Sequence, residues 1–258
     1  MGGACGAVFL RVQAVLASET AVHTRSKLLF QALLAATAAV FFYLIYFIFL
    51  RAPLAQLQAG GLTQKIFYFH VPSGYAMYLS GAVCFFGSAI YLARPSDKSD
   101  AWAKAGAECA VLFGMLLLTS GPLWAKKAWG VYWTWDPRLT TSLLSFLVYA
   151  AVVMLRAFAG GGHAERKFAA ALGVLGTVNL PIIHYSVKKW GGNHPTVITS
   201  GGGGLGHPDM KYALTMGFLA MTLLAAALIW CRARTALLDS RLARLQEQAL
   251  ASGLTTEV

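Results

Sequence analysis

The sequence predicts an all-α, polytopic membrane protein with six transmembrane helices and a tryptophan-rich loop on the non-cytoplasmic side. Hydrophobic residues make up 57% of the 258 residues, charged residues only 12%, and the mean hydropathy is +0.60. An average globular domain is about one quarter charged, so this composition excludes a soluble domain with a solvated surface. The apolar residues are also grouped in long blocks separated by short basic segments.

Six apolar blocks account for the predicted helices, since a span takes about 20 mainly apolar residues. The predicted spans are 28–50, 71–93, 105–125, 139–155, 168–187 and 212–231. The fourth is short, so its helix must extend past its ends or cross the bilayer upright. The domain organisation predicted from these spans is an N-terminal extension of unassigned structure (1–27), a membrane domain (28–231) and a C-terminal tail (232–258).

Charge predicts the orientation of the chain. An even number of spans puts both termini on one side, and the 21 Lys and Arg residues are biased toward that side. Cytoplasmic loops carry an excess of Lys and Arg, so both termini are predicted to be cytoplasmic. The net charge of +11 is interpreted as membrane-flanking charge in contact with lipid and not as a nucleic-acid surface. Asp136 and Asp209 are the only acidic residues of the outer loops, so the outer face favours an acidic ligand.

Two features elsewhere allow two interpretations each. Glu108, near the start of the third span, either reaches the cytoplasmic interface or takes part in a proton relay. The tail places Leu238, Leu242 and Leu245 on one stripe of a predicted helix. That stripe lies on the membrane or on neighbouring structure, or it docks a partner subunit.

The most unusual run is in the loop predicted at 126–138, where three Trp and one Tyr fall within the eight residues 129–136. Tryptophans at span ends commonly anchor helices at the lipid headgroups. That interpretation suits Trp124, but it does not account for the whole run. Aromatic rings can instead stack on a flat ligand, and the neighbouring Lys126, Lys127 and Arg138 can pair with its acidic groups.

Histidines complete the pattern, because four of the six lie in or beside the outer loops. They are His70, His184, His194 and His207. A single histidine in a membrane protein is often a packed polar group, whereas several on one side can ligate iron. A flat, aromatic, acidic ligand that carries a metal fits the loop, and haem meets each of these terms.

Three motifs resemble one family. The run from Trp129 to Asp136 looks like the WWD signature of haem-handling proteins, with Tyr132 where a Trp is usual. The segment His70-Val-Pro resembles the motif that opens their second span, and residues 179–187 resemble the fifth span of cytochrome c maturation protein C. The chain is therefore similar, over about residues 28–235, to this haem exporter protein C family.

The resemblance implies a site and a set of partners. The iron of haem b would be bound transiently by His70 and His194, with His184 as a structural group or as a group that supports a ligand. The cofactor-binding residues would be Trp124, Lys126, Lys127, Trp129, Tyr132, Trp133, Trp135, Asp136 and Arg138. Glycines on both sides of His194, namely Gly191, Gly192 and Gly201–Gly204, predict that this loop opens more readily than the segment before His70.

The resemblance also implies a function without catalysis. The protein would sit in the bacterial inner membrane with its haem site facing the periplasm. It would assemble with the membrane and ATPase subunits of an ABC transporter and a small single-span subunit, and it would deliver haem to the membrane-anchored haem chaperone. Two alternatives remain: a b-type haem subunit for electron transfer that keeps its haem, and a haem transporter with a polar path through the membrane.

Overall fold

The computed structural model describes residues 2–55, 61–158, 162–195 and 204–252, with side chains from residue 24 onward. The helices are α1 (Gly2–Leu50), α2 (Phe67–Ala93), α3 (Asp97–Trp129), α4 (Pro137–Phe158), α5 (His163–Trp190) and α6 (Pro208–Ala251), and the 3-10 segment Gly61–Ile66 precedes α2. All six helices are long and apolar enough to cross a membrane. The described residues contain no β-strand. The predicted all-α fold with six spans is confirmed.

The helices extend beyond the predicted spans, because polar residues at their ends continue the helical backbone past the apolar stretch. Helix α4 (Pro137–Phe158) gains residues at both ends, which accounts for the short fourth span. Helix α1 begins at Gly2, so the extension whose structure the sequence left unassigned is helical. Helix α6 continues through the tail to Ala251, and residues 253–258 lie outside the described part of the chain.

The tryptophan-rich loop is shorter than the predicted 126–138. Helix α3 continues to Trp129 and ends at Gly130, whose φ of 78° is a left-handed conformation that favours glycine. Helix α4 begins at Pro137, a residue well suited to the first helical position. The loop itself is therefore 130–136, while Lys126 and Lys127 lie in the last turn of α3, where positive charge is favourable.

Helix α2 lies at the centre of the bundle, in contact with α3, α5 and α6. Its backbone approaches that of α3 so closely that a Cβ on Gly106 would lie 2.4 Å from the backbone nitrogen of Cys84. A Cβ on Gly87 would lie 2.5 Å from the nitrogen of Ala103. Small residues allow helices to pack this closely in membranes. The register between α2 and α3 is fixed by these contacts.

Ion pairs join the helices at the end of the bundle that carries the termini. Arg156 of α4 and Asp100 of α3 form a buried pair at 2.8 Å. Arg232 binds Glu108 through both carboxylate oxygens, at 2.6 and 3.0 Å. This pairing occupies Glu108 and favours its interpretation as an interfacial residue. The leucine stripe of the tail is exposed, with Leu242 57% accessible.

Candidate functional site

His70 lies in the first turn of α2 and is held by Ser120 of α3, with 2.9 Å between Nδ1 and Oγ. The Ser120 hydroxyl also lies 2.6 Å from the carbonyl oxygen of Leu116, which can only accept. Since the single hydroxyl proton goes to that carbonyl, Oγ accepts from Nδ1–H of His70. Nε2 of His70 is then unprotonated, which is the state required of a metal ligand.

His194 lies beyond the end of α5, in a segment attached to the tryptophan-rich loop through Asp136. The backbone N–H groups of Asn193 and His194 donate to Oδ2 of Asp136 at 2.6 and 3.2 Å. The Arg138 N–H donates to Oδ1 at 2.8 Å. His70 lies near the start of α2 and His194 just beyond the end of α5, so two segments far apart in sequence each place an imidazole at the end of the bundle that holds the tryptophan-rich loop.

Nδ1 of His194 has two partners of opposite character. It lies 3.1 Å from the carbonyl oxygen of Pro195, which accepts, and 3.3 Å from Nη1 of Arg138, which donates. If Nδ1–H donates to Pro195, Nε2 is free for a metal; if Nδ1 instead accepts from Arg138, Nε2 carries the proton. Burial, reinforced by the charge of Arg138, lowers the pKa of His194 to about 4. The imidazole is therefore neutral near pH 7, the form that ligates metals.

The tryptophans form two edge-to-face pairs. Trp124 and Trp129 on α3 have ring centroids 5.4 Å apart, and Trp133 and Trp135 in the loop are 5.9 Å apart. The indole N–H of Trp124 donates to the Gln64 side chain at 3.1 Å, which holds the first pair against the segment Gly61–Ile66. Trp135 is 76% exposed, so the second pair offers a large aromatic surface.

The basic residues of the predicted site differ in how fully they are engaged. Lys126 donates to the carbonyl of Gly130 at 3.0 Å and lies 5.2 Å from the ring centroid of Tyr132. Lys127 is exposed on the same turn. Arg138 reaches across to α5, where its Nη2 donates to the carbonyl oxygen of His184 at 3.1 Å. Arg138 also lies beside a proposed iron ligand, because its Nη1 is 3.3 Å from Nδ1 of His194.

Three buried polar atoms of the loop region have no hydrogen-bond partner among the described residues: Trp133 Nε1, Thr134 Oγ1 and Arg138 Nε. Leaving a buried donor unpaired costs about 1–3 kcal/mol. All three can donate to an acceptor oxygen such as that of a haem propionate, which would reach these buried atoms only if the loop moved. No three His, Cys, Asp or Glu side chains in the described ranges converge on an ion. Two histidines are enough for a metal whose remaining ligands are supplied by its own macrocycle.

The other histidines of this face have structural surroundings. His207 is the N-cap of α6, where its Nδ1 accepts the N–H of Asp209 at 3.1 Å. The His184 ring is exposed and lies edge-on to Tyr185, with centroids 5.0 Å apart. Its backbone carbonyl, and not its imidazole, contacts Arg138. The structural role expected for His184 stays a prediction.

Several residues that build the site were missed in the sequence. Ser120 and Gln64 are ordinary polar residues in the sequence, and nothing in the local pattern marks them as partners of His70 and Trp124. Asp136 was expected to bind the ligand, but it is only 6% exposed and accepts backbone N–H groups. The one sequence feature that could have marked Asp136 as unusual was its acidic charge in an otherwise basic outer face.

The contacts also revise the expected hinge. Gly192 adopts a φ of 141°, and a Cβ there would lie 2.2 Å from Oδ2 of Asp136. The chain from Gly192 to His194 is therefore held against a buried carboxylate and is not a free hinge. Of the downstream glycines in that prediction, residues 201–203 lie outside the described part of the chain.

These features define a class: a six-helix membrane protein with two histidines and a tryptophan-rich loop at one end of the bundle. Sequence comparison places the chain within that class. The profile of the family Heme exporter protein C matches residues 12–248. The chain belongs to this family, as its motifs indicated.

Individual relatives agree. The chain is 36% identical over 189 residues to Heme exporter protein C of Bradyrhizobium diazoefficiens, an alignment that covers 72% of this chain and 71% of the relative. It is 34% identical over 143 residues to Heme exporter protein C of Escherichia coli, covering 54% of this chain and 57% of the relative. A 29% identical relative from Marchantia polymorpha is described as a putative cytochrome c biosynthesis ccmC-like mitochondrial protein, covering 52% of this chain and 56% of the relative.

Proposed function

We propose that this protein binds haem b transiently at the periplasmic face of the bacterial inner membrane and passes it to the haem chaperone of cytochrome c maturation. His70 and His194 are the axial ligands of the iron. The observation that carries the proposal is that two imidazoles from separate segments lie at the end of the bundle that holds the tryptophan-rich loop, with the Ser120 contact leaving Nε2 of His70 unprotonated.

Haem is cargo here, and the chain supplies binding and orientation. The aromatic surface of Trp133 and Trp135 packs on the porphyrin, with Trp129 and Tyr132 beside it. The unpaired donors of Trp133, Thr134 and Arg138 support a role in binding the propionates, with Lys126 and Lys127 adding positive charge at the rim. Catalysis by the chain itself is not part of this proposal.

The proposed partners rest on the family to which the chain belongs. A relative's name, Heme exporter protein C, supports a role in an exporter-type assembly. The proposed assembly contains the membrane and ATPase subunits of an ABC transporter and a small single-span subunit. The polar residues of the spans give little support to a haem path through this chain. Asn179 donates to Thr141 and Ser145 at 2.7 Å each, and Glu108 is paired with Arg232.

The ligand assignment is tested on purified protein. The protein should show a six-coordinate, low-spin haem spectrum, because two imidazoles give a strong axial field. His70→Ala or His194→Ala should lower haem retention and change the spin state, whereas His184→Ala and His207→Ala should leave both nearly unchanged. Equal losses from His184→Ala would overturn the ligand choice.

Delivery is tested separately by crosslinking the native complex and identifying what is captured. Capture of the haem chaperone is expected when the chain is loaded with haem, and much less from the His194→Ala variant. A chain that retains haem but never captures the chaperone would instead be a resident b-type haem subunit.

A further inference from the structure

We infer that Asp136 is a positioning residue for His194: its carboxylate fixes the segment that carries the second iron ligand to the start of helix α4. The inference rests on the proposed function, because it takes His194 to be an axial ligand. It assigns to Asp136 a role different from contact with haem. Four observations carry it.

The first observation is the set of hydrogen bonds. The Asp136 carboxylate accepts three backbone N–H groups, from Arg138 on its own side and from Asn193 and His194 on the other, at 2.8, 2.6 and 3.2 Å. Hydrogen bonds to an ionised acceptor are about twice as strong as neutral ones. Asp136 therefore joins the first turn of α4 to the residue that bears the ligand.

The second observation is burial. Asp136 is 6% exposed, so little of its carboxylate is available to a cargo molecule. No basic side chain in the described ranges forms an ion pair with it within 4 Å. The charge is stabilised by backbone N–H dipoles, including those at the N-terminus of α4. A charge arranged in this way stabilises backbone geometry.

The third observation is the shape of the opposing chain. Gly192 lies so close to Oδ2 of Asp136 that a Cβ would come within 2.2 Å of it, and its φ of 141° is one that other residues rarely adopt. Three successive residues, 192–194, thus contact one carboxylate. Glycine at position 192 is required by this contact.

The fourth observation is the position of Asp136 in the sequence. It directly follows Trp135, whose ring pairs with Trp133. The same backbone segment carries the aromatic rings and the carboxylate. The rings and the His194 segment are therefore linked through Asp136 and should move together. Displacing His194 from iron then requires breaking its attachment to the tryptophan-rich loop.

The main test compares three variants of the full-length protein loaded with haem. Asp136→Ala removes the carboxylate, and Gly192→Ala pushes on it from the opposite side. Gly206→Ala is the matched control from the same connection between α5 and α6, because a Cβ there meets nothing within 4 Å. Absorption and electron paramagnetic resonance spectra report the axial ligands directly.

Asp136→Ala and Gly192→Ala should both convert low-spin haem to a five-coordinate, high-spin form that keeps His70. Added imidazole should restore the low-spin spectrum, since it replaces the mispositioned side chain. Haem affinity should fall about 10- to 100-fold, as for other partners that orient a metal ligand. Gly206→Ala should remain low-spin. The double variant Asp136→Ala with His194→Gly should match His194→Gly alone.

Two results would overturn the inference. A fully low-spin spectrum in Asp136→Ala would contradict the inference. Loss of haem that imidazole does not restore would instead make Asp136 a direct haem contact. Asp136→Asn, which keeps one acceptor oxygen, should give an intermediate fraction of low-spin haem if the carboxylate acts by hydrogen bonding.

A readout without haem separates this inference from the proposed function. In the haem-free protein, Asp136→Ala should speed amide hydrogen exchange in peptides that cover Asn193 and His194, and Gly206→Ala should not. If the unmodified protein lacked low-spin haem, the ligand assignment would fail while exchange still measured the attachment. Unchanged exchange in Asp136→Ala would overturn the attachment itself.

Discussion

Ser120 decides which nitrogen of His70 is presented to a metal. Its hydroxyl proton is directed to the Leu116 carbonyl, so its oxygen accepts from Nδ1 of His70. Partners of this kind fix the tautomer and the ring orientation of metal-binding histidines. The Ser120 contact therefore fixes the tautomer of His70 without a contribution from any ligand.

Ser120→Ala should weaken haem binding about tenfold, because the His70 ring loses the partner that orients it. The measurement is the rate at which haem passes from the purified protein to a haem-scavenging protein in solution. Thr119→Ala is the control, since among the described residues the Thr119 hydroxyl bonds only to carbonyls of its own helix, at 2.9 and 3.2 Å. Equal rates in the two variants would contradict the assigned role of Ser120.

Trp133 combines a ring that can stack with a buried N–H that has no partner among the described residues. Trp133→Phe keeps a ring and removes the donor, so haem affinity should fall by about 1.5 kcal/mol, roughly tenfold, if the N–H binds a propionate. Trp133→Ala should lose more. Haem content per purified protein is the measurement, and Trp190→Phe, an exposed indole of α5, is the control. Lower protein yield at constant haem content would favour the membrane-anchoring interpretation.

At the scale of elements, the contact between α2 and α3 determines where His70 meets Ser120. Gly106 lies against the backbone of Cys84, and Gly87 against that of Ala103. Both contacts lie well below the outer end of the bundle, yet they fix the axial positions of both helices. The outer site is therefore sensitive to packing inside the membrane.

Gly106→Ala should destabilise the protein by at least about 1–3 kcal/mol, the usual cost of overpacking, because backbone atoms must move apart. Thermal unfolding in detergent measures this loss, and haem content should fall with it. Gly74→Ala is the matched control in α2, where a Cβ meets only the flexible end of Leu117 at 3.3 Å. An unchanged unfolding temperature for Gly106→Ala would mean that the helices are not in close contact.

At the scale of the whole molecule, the orientation in the membrane decides whether haem is offered to the periplasm. Reporter fusions should be active in the cytoplasm at residues 97 and 163 and in the C-terminal tail, and outside at residue 131. The outer loops should also report outside at residues 58 and 203, which lie beyond the described ranges. A cytoplasmic signal at residue 131 would place the tryptophan-rich loop in the wrong compartment.

The sequence alone predicted the helical architecture correctly, since block hydrophobicity reflects a local requirement: every residue of a span must tolerate lipid. It also predicted the family, because the tryptophan run and the two histidine segments are continuous in sequence. The ends of the helices were less well predicted. Polar residues such as Lys126 and Arg138 continue a helix past the apolar core, and hydropathy carries no signal for that.

Tertiary structure alone decided which side chains work together. Ser120 lies 50 residues from His70, and Asp136 lies 58 residues from His194. Neither partnership has a local pattern, because hydrogen bonds between helices depend on how the helices pack and not on sequence spacing. Asp136 illustrates the difference: the sequence identified it as part of a haem-handling motif, and only the structure showed that it is buried and accepts backbone N–H groups from a distant segment. The sequence motifs indicated which residues could bind a ligand, and the packing of the helices determined how those residues are held.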